Sequence, residues 1–187
     1  HLGTNNGYVC SFSPDGGTLA AGGGNSSVVL HTMRPAEAQS VVSKQNKLVT
    51  TGFMRGRKGV VVTGKDVMVY DCGSPAKTAE PLLSMQADEQ LRHLVEISPD
   101  EQLVAFSQRV NKSVKIYSIE DQREVKTIQF AAACDGVRFS PKGTYLVAWG
   151  GIGAKVFDTT EFNEVAAVSD PNYYIGDCTI SWDETLI

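Results

Sequence analysis

Three histidines (His1, His31 and His93), four cysteines (Cys10, Cys72, Cys134 and Cys178) and the run Gly22-Gly23-Gly24 are the residues whose types could do chemistry in this chain. Nucleophilic catalysis needs a serine or cysteine beside a base that an acid orients. The histidines lie in separate stretches and no Gly-x-Ser-x-Gly elbow occurs, so no catalytic residue is assigned. His93, alternating with Leu94, reads as a partly exposed strand residue. Metal binding would call for His-x-x-x-His or paired cysteines, and neither is present, so no metal or cofactor site is expected. Three bare glycines could cradle a phosphate, but a phosphate loop opens a helix and is followed by Gly-Lys-Ser/Thr. This run leads into the β-branched Val28-Val29, and Gly22 to Asn25 reads as a loose hairpin turn.

Contact chemistry is the better-supported class. Arg55, Arg57 and Lys58, spaced by Gly56 and followed by Gly59, form an exposed basic turn able to meet RNA phosphate or an acidic partner; a solvated loop tip is the alternative. Trp149 stands inside an apolar run and reads as a core residue, whereas Trp182 falls in a turn and is open to a contact role. Asp71 and Asp158 read as turn formers whose carboxylates accept local backbone N–H bonds. The cysteines stand far apart. Cys10 and Cys178 fall within expected strands as small apolar residues, and reduced thiols point to cytosol or nucleus.

The elements that position these residues follow from one recurring stretch. Val137-Arg138-Phe139, the turn Ser140-Pro141-Lys142-Gly143 and the run Tyr145 to Trp149 read as two strands joined by a tight turn. Proline presets φ there and glycine accepts the closing conformation. Phe12-Ser13-Pro14-Asp15-Gly16 and Ile97-Ser98-Pro99-Asp100-Glu101 repeat it. The apolar residue before the turn stands at 12, 97 and 139, gaps of 85 and 42, which implies a copy near 54. Phe53, followed by the basic turn and Val60-Val61-Val62, supplies it, and Ile180 with Ser181-Trp182-Asp183-Glu184 supplies a fifth. A strand-built period of about 40 to 45 residues is the signature of propeller blades.

Each unit divides into four expected strands. In the third these are Arg92 to Ile97, Gln102 to Ser107, Ser113 to Ile119 and Glu124 to Ile128, with Val114 and Ile116 alternating against Lys115 and Tyr117 as buried and wetter faces. In the fifth, Ile175 to Ile180 reads as a strand and Thr185-Leu186-Ile187 opens another. The expected fold is all-β, with units at about 8–45, 46–87, 90–130 and 132–170 and an incomplete one at 173–187. The chain of 187 residues opens without methionine and stops within an expected strand, which reads as a piece of a larger propeller whose exposed sheet edge would make the isolated chain associate. A net charge of −4 argues against a surface built throughout for nucleic acid, and the longest apolar runs fall far short of a membrane span.

Four strands per unit, Ser-Pro-Asp-Gly-like turns and the aromatic-acid pairs Tyr70-Asp71 and Phe157-Asp158 resemble a divergent WD40-type β-propeller, which often has Trp-Asp at the latter place. Tyr117-Ser118 departs from that pattern. The Gly-His pair that usually precedes a WD40 blade is missing, so the family's internal hydrogen-bond tetrad is not carried over. Val137 to Trp149 followed by Ile180 to Leu186 is similar to the translation-initiation propellers of the factor 2A type, and the preceding Gly59 to Phe130 has blade order and lengths similar to these and to the related subunit b of factor 3, so the resemblance spans roughly 59–187. The resemblance implies a cytoplasmic, non-catalytic scaffold. Its partners would be proteins, the small ribosomal subunit and RNA, with no membrane and no small-molecule substrate. Prolyl-oligopeptidase-type and TolB-type propellers use the same turns, and a propeller subunit of a ribosome-assembly or trafficking complex is a further alternative.

Overall fold

Short β-branched and apolar runs separated by Gly, Pro, Asn and Asp can satisfy their backbone groups only by pairing with one another. The computed structural model describes residues 7–12, 18–23, 27–32, 39–42, 49–55, 58–63, 66–71, 80–88, 95–151, 153–169 and 174–187, with side chains from Asp66 onward. All regular structure among them is strand. The chain divides into two compact units, His1–Arg92 and His93–Ile187.

In the first unit, β1 (Gly7–Phe12), β2 (Thr18–Gly23), β3 (Ser27–Thr32) and β4 (Gln39–Val42) form one antiparallel sheet in chain order. A second comprises β5 (Val49–Arg55), β6 (Lys58–Thr63), β7 (Asp66–Asp71) and β8 (Leu83–Gln86). Gly22 and Gly23 belong to β2, paired with Val9 and Gly7, rather than to a turn; Gly24 and Asn25 lie outside the described residues. A glycine in an extended ladder needs no special conformation, so the apolar-run boundary at Ala21 placed the strand end two residues early.

The second unit repeats the plan. β9 (Val95–Ile97), β10 (Leu103–Gln108), β11 (Ser113–Ser118) and β12 (Arg123–Gln129) make one sheet. The other holds β13 (Cys134–Phe139), β14 (Tyr145–Gly150), β15 (Gly153–Asp158) and β16 (Glu164–Val168). Ala105, Val114 and Ile116 of the first sheet pack with Val137, Phe139, Leu146, Ala148 and Phe157 of the second in one core cluster. On the far face of the second sheet, Val147, Trp149, Ala154 and Val156 form another cluster with Ile180, flanked by Ile175 and Cys178. β14 is therefore buried on both faces, which is why Leu146-Val147-Ala148-Trp149 reads as unbroken apolar sequence. Leu146 and Val147 each contribute about 1.5–3 kcal/mol by leaving water. β16, last in its sheet, is exposed at every residue.

Ile175 to Ile180, expected as a strand, forms none, and neither does Thr185 to Ile187; Cys178 accordingly sits outside any strand. Alternating apolar residues give a segment one buried face, but only a ladder makes it a strand. Residues 174–180 are tied down by side chains instead: the Trp149 indole N–H donates to the Gly176 carbonyl at 3.2 Å and the Arg138 guanidinium to the Cys178 carbonyl at 3.2 Å. Gly136 makes room for this, because a Cβ there would overlap the Trp149 ring.

Candidate interaction surface

Three turns of the second unit have one construction. In Ser98 to Leu103, Ser140 to Tyr145 and Ser181 to Leu186 the first residue's N–H donates to the carbonyl of the sixth, and the fourth residue's N–H donates back to the serine carbonyl. The sixth residue's N–H, in turn, donates to the serine hydroxyl oxygen, at 2.9, 3.0 and 2.9 Å. The fourth residue takes a left-handed conformation in every copy: Glu101 (φ 62), Gly143 (φ 83) and Glu184 (φ 64). Glycine is free to do so, whereas the two glutamates adopt it at a cost of about 1–2 kcal/mol.

Each serine hydroxyl also donates to a carboxylate. Ser98 reaches Asp100 at 2.5 Å and Ser181 reaches Asp183 at 2.6 Å, two residues on in both. The middle copy has Lys142 at that position. Its Ser140 donates instead to Glu184 of the next copy at 2.5 Å, and the Lys142 backbone N–H donates to the same oxygen at 3.0 Å. The missing acid is thus supplied from 44 residues along the chain. Gly143 in the same way seats against Pro99 of the preceding copy, where a Cβ would come 3.2 Å from the proline ring. Consecutive turns interlock.

The carboxylates respond accordingly. The Ser181 hydroxyl holds Asp183 below its ordinary value. Burial pushes Glu184 up, but the Ser140 and Thr144 hydroxyls and the Lys142 N–H together bring it below. Asp158 accepts from the N–H groups of Thr160, Glu161 and Asn163, with the bond from Glu161 doing most to lower its pKa, and so closes the β15–β16 turn as a turn former. Ser118 does the lesser version, accepting only from the Asp121 N–H at 3.1 Å.

An ionic chain joins the first strands of the two sheets to residue 177. Arg138 on β13 meets Glu96 on β9 at 3.5 Å and Asp177 at 3.4 Å while lying over the Trp149 ring, 5.5 Å from its centroid. At the opposite end of the sheets from the serine turns, Arg109 pairs with Asp135 at 2.6 Å. Cys134 is buried and its thiol is pushed up to about 12 by desolvation, so it stays an unreactive apolar filler. Among the described residues no cluster of three or more His, Cys, Asp or Glu could hold a metal, and no helix is long and apolar enough to cross a membrane.

Trp182 occupies the second position of its serine turn, where the other two copies carry Pro99 and Pro141, and it is 78% exposed. Leu186 and Ile187 are exposed beside it in sequence. Arg55 and Lys58 end β5 and begin β6 as the last pair of their ladder, so they are strand-terminal rather than loop residues; Arg57 lies outside the described residues. That hairpin is the first-to-second-strand connection of its sheet, topologically the same place as the serine turns. His93, Cys72 and the turn at 13–17 also lie outside the described residues. The cross-copy role of Glu184 and the Arg138 chain escaped the sequence reading, and the one signal for the former was Lys142 standing where Asp100 and Asp183 stand in the other copies.

No family model matches the sequence, and no curated protein matches it. Among solved structures, the chain is similar to a WD40 β-propeller in the crystal structure of the mitotic checkpoint complex, at 15% identity and a TM-score of 0.73, over 90% of this chain and 52% of that one. The all-β propeller fold is therefore shown, and the chain spans about half the length of the solved chain it matches.

Proposed function

We propose that this chain is a non-catalytic interaction scaffold, a set of propeller blades of translation-initiation type that docks on the small ribosomal subunit in the cytoplasm. The observation that carries the scaffold reading is Trp182, a large aromatic side chain held 78% exposed on a turn whose backbone is fixed by the Ser181 hydroxyl. Rigidly presented tryptophans are the residues that interfaces favour as anchors. The solved neighbour belongs to a multi-protein complex, which agrees with a role in assembly. The initiation assignment rests on the Val137 to Trp149 and Ile180 to Leu186 stretches and on the basic pair Arg55 and Lys58, joined in sequence by Arg57. On this reading the blades run at about 8–45, 46–87, 90–130 and 132–170, and 173–187 begins a fifth.

Co-sedimentation of the chain with purified small ribosomal subunits at stepped salt tests the proposal. Binding that weakens steeply as salt rises and is reduced by Trp182→Ala supports it, because phosphate contacts release counterions while an aromatic anchor does not. An absence of co-sedimentation at low salt rejects the ribosomal partner and leaves a propeller subunit of another assembly.

A further inference from the structure

In the second unit the last strands of the two sheets, β12 and β16, have opposite characters. An edge strand leaves the outward N–H and C=O groups of alternate residues unpaired and is a template for another strand unless charge or distortion blocks it. β12 carries Arg123, Glu124 and Lys126, all exposed. β16 reads Glu164-Val165-Ala166-Ala167-Val168, exposed throughout, with both valines about half accessible at 53% and 51%. Its single charge, Glu164, is held by Lys155 at 2.6 Å.

We propose that β16 is a strand-addition edge at which a second copy of this chain pairs, antiparallel, about a two-fold axis through Ala166. The choice of partner comes from self-complementarity. Pairing centred on Ala166 sets Glu164 against Val168 and Val165 against Ala167, so the two glutamates fall at opposite ends of the joint ladder and no like charges face each other. The same operation on β12, centred on Lys126, would place Lys126 directly against Lys126. One edge is protected against its own copy and the other is not. Two four-stranded sheets would join into one of eight strands, with the small side chains of Ala166 and Ala167 offering no steric obstacle.

Sedimentation equilibrium of the 187-residue chain at micromolar concentration is the test. The expected mass is twice the 20.1 kDa of one chain, falling to one chain in Ala166→Lys and unchanged in Val125→Lys on β12. An Ala166→Cys variant supplies a readout at the axis itself: mild oxidation yields a covalent dimer, and Val125→Cys does not, since directly opposed residues of a strand pair lie within disulfide reach. A chain that stays monomeric with no Ala166→Cys cross-link overturns the proposal. So does a dimer that survives Ala166→Lys, or one lost only in Trp182→Ala, which would place the contact on the serine turn.

Discussion

Single atoms decide much of this unit. Gly136 is required because Trp149 lies where its Cβ would be, and Trp149 in turn anchors Gly176 and carries Arg138 on its ring face. Gly136→Ala is expected to lower stability by about 1–3 kcal/mol, the usual cost of forcing extra volume into a packed site. Urea unfolding followed by tryptophan fluorescence measures it, and an unshifted midpoint would mean that the indole has room to move. The left-handed fourth position of the last serine turn sets two effects against each other. Glu184→Gly relieves an unfavourable conformation yet removes the acceptor for Ser140 and Lys142, so it is expected to destabilise. A thermal melt of Glu184→Gly at or above that of the unaltered chain would deny Glu184 its cross-copy role.

At the scale of the element, the serine turn is a closed set of bonds whose one gap is filled by a neighbour. Coupling between Ser140 and Glu184 follows: Ser140→Ala combined with Glu184→Gln should cost less than the sum of the single changes, because Ser140 is buried and the two groups touch directly, a situation in which coupling energies run about 0.5–3 kcal/mol. The carboxylates also set a pH dependence. Glu184, Asp183 and Asp158 all have folded pKa values below their unfolded ones. Their contribution is therefore present above the ordinary carboxylate range and disappears as pH falls through the lowered values. The apparent melting temperature of the chain should drop on acidification below about pH 4, less steeply in Glu184→Gln; equal slopes would exclude Glu184.

Element by element, the sequence was readable where burial is written in composition. β10 and β14 are continuous apolar runs because both faces are covered, and the serine turns announce themselves through Ser-Pro and the spacing of Ile97, Phe139 and Ile180. Residues 174–180 misled because their apolar side chains do pack on the Val147–Trp149 face, which a pattern registers, while the missing ladder is a matter of partners that a pattern does not. Glu184 was unreadable for a related reason: its contacts span 42 and 44 residues, and within its own turn it looks like an ordinary exposed acid. The exposure of Trp182, by contrast, followed from its place in a turn.

For the whole molecule, the account rests on one unit of construction used repeatedly, a four-stranded antiparallel sheet with strands in chain order, seen four times among the described residues. In the second unit the copies also interlock at their turns, through Gly143 against Pro99 and Ser140 with Glu184. Native-state amide hydrogen exchange reads that directly. The amides of Leu103, Tyr145 and Leu186, each bonded to a serine hydroxyl at the exit of its turn, should be protected with the middle strands β10 and β14. The last strand β12 should exchange faster. Turn-exit amides exchanging as fast as open loop residues, or slow amides that ignore the four-strand grouping, would contradict the repeated construction.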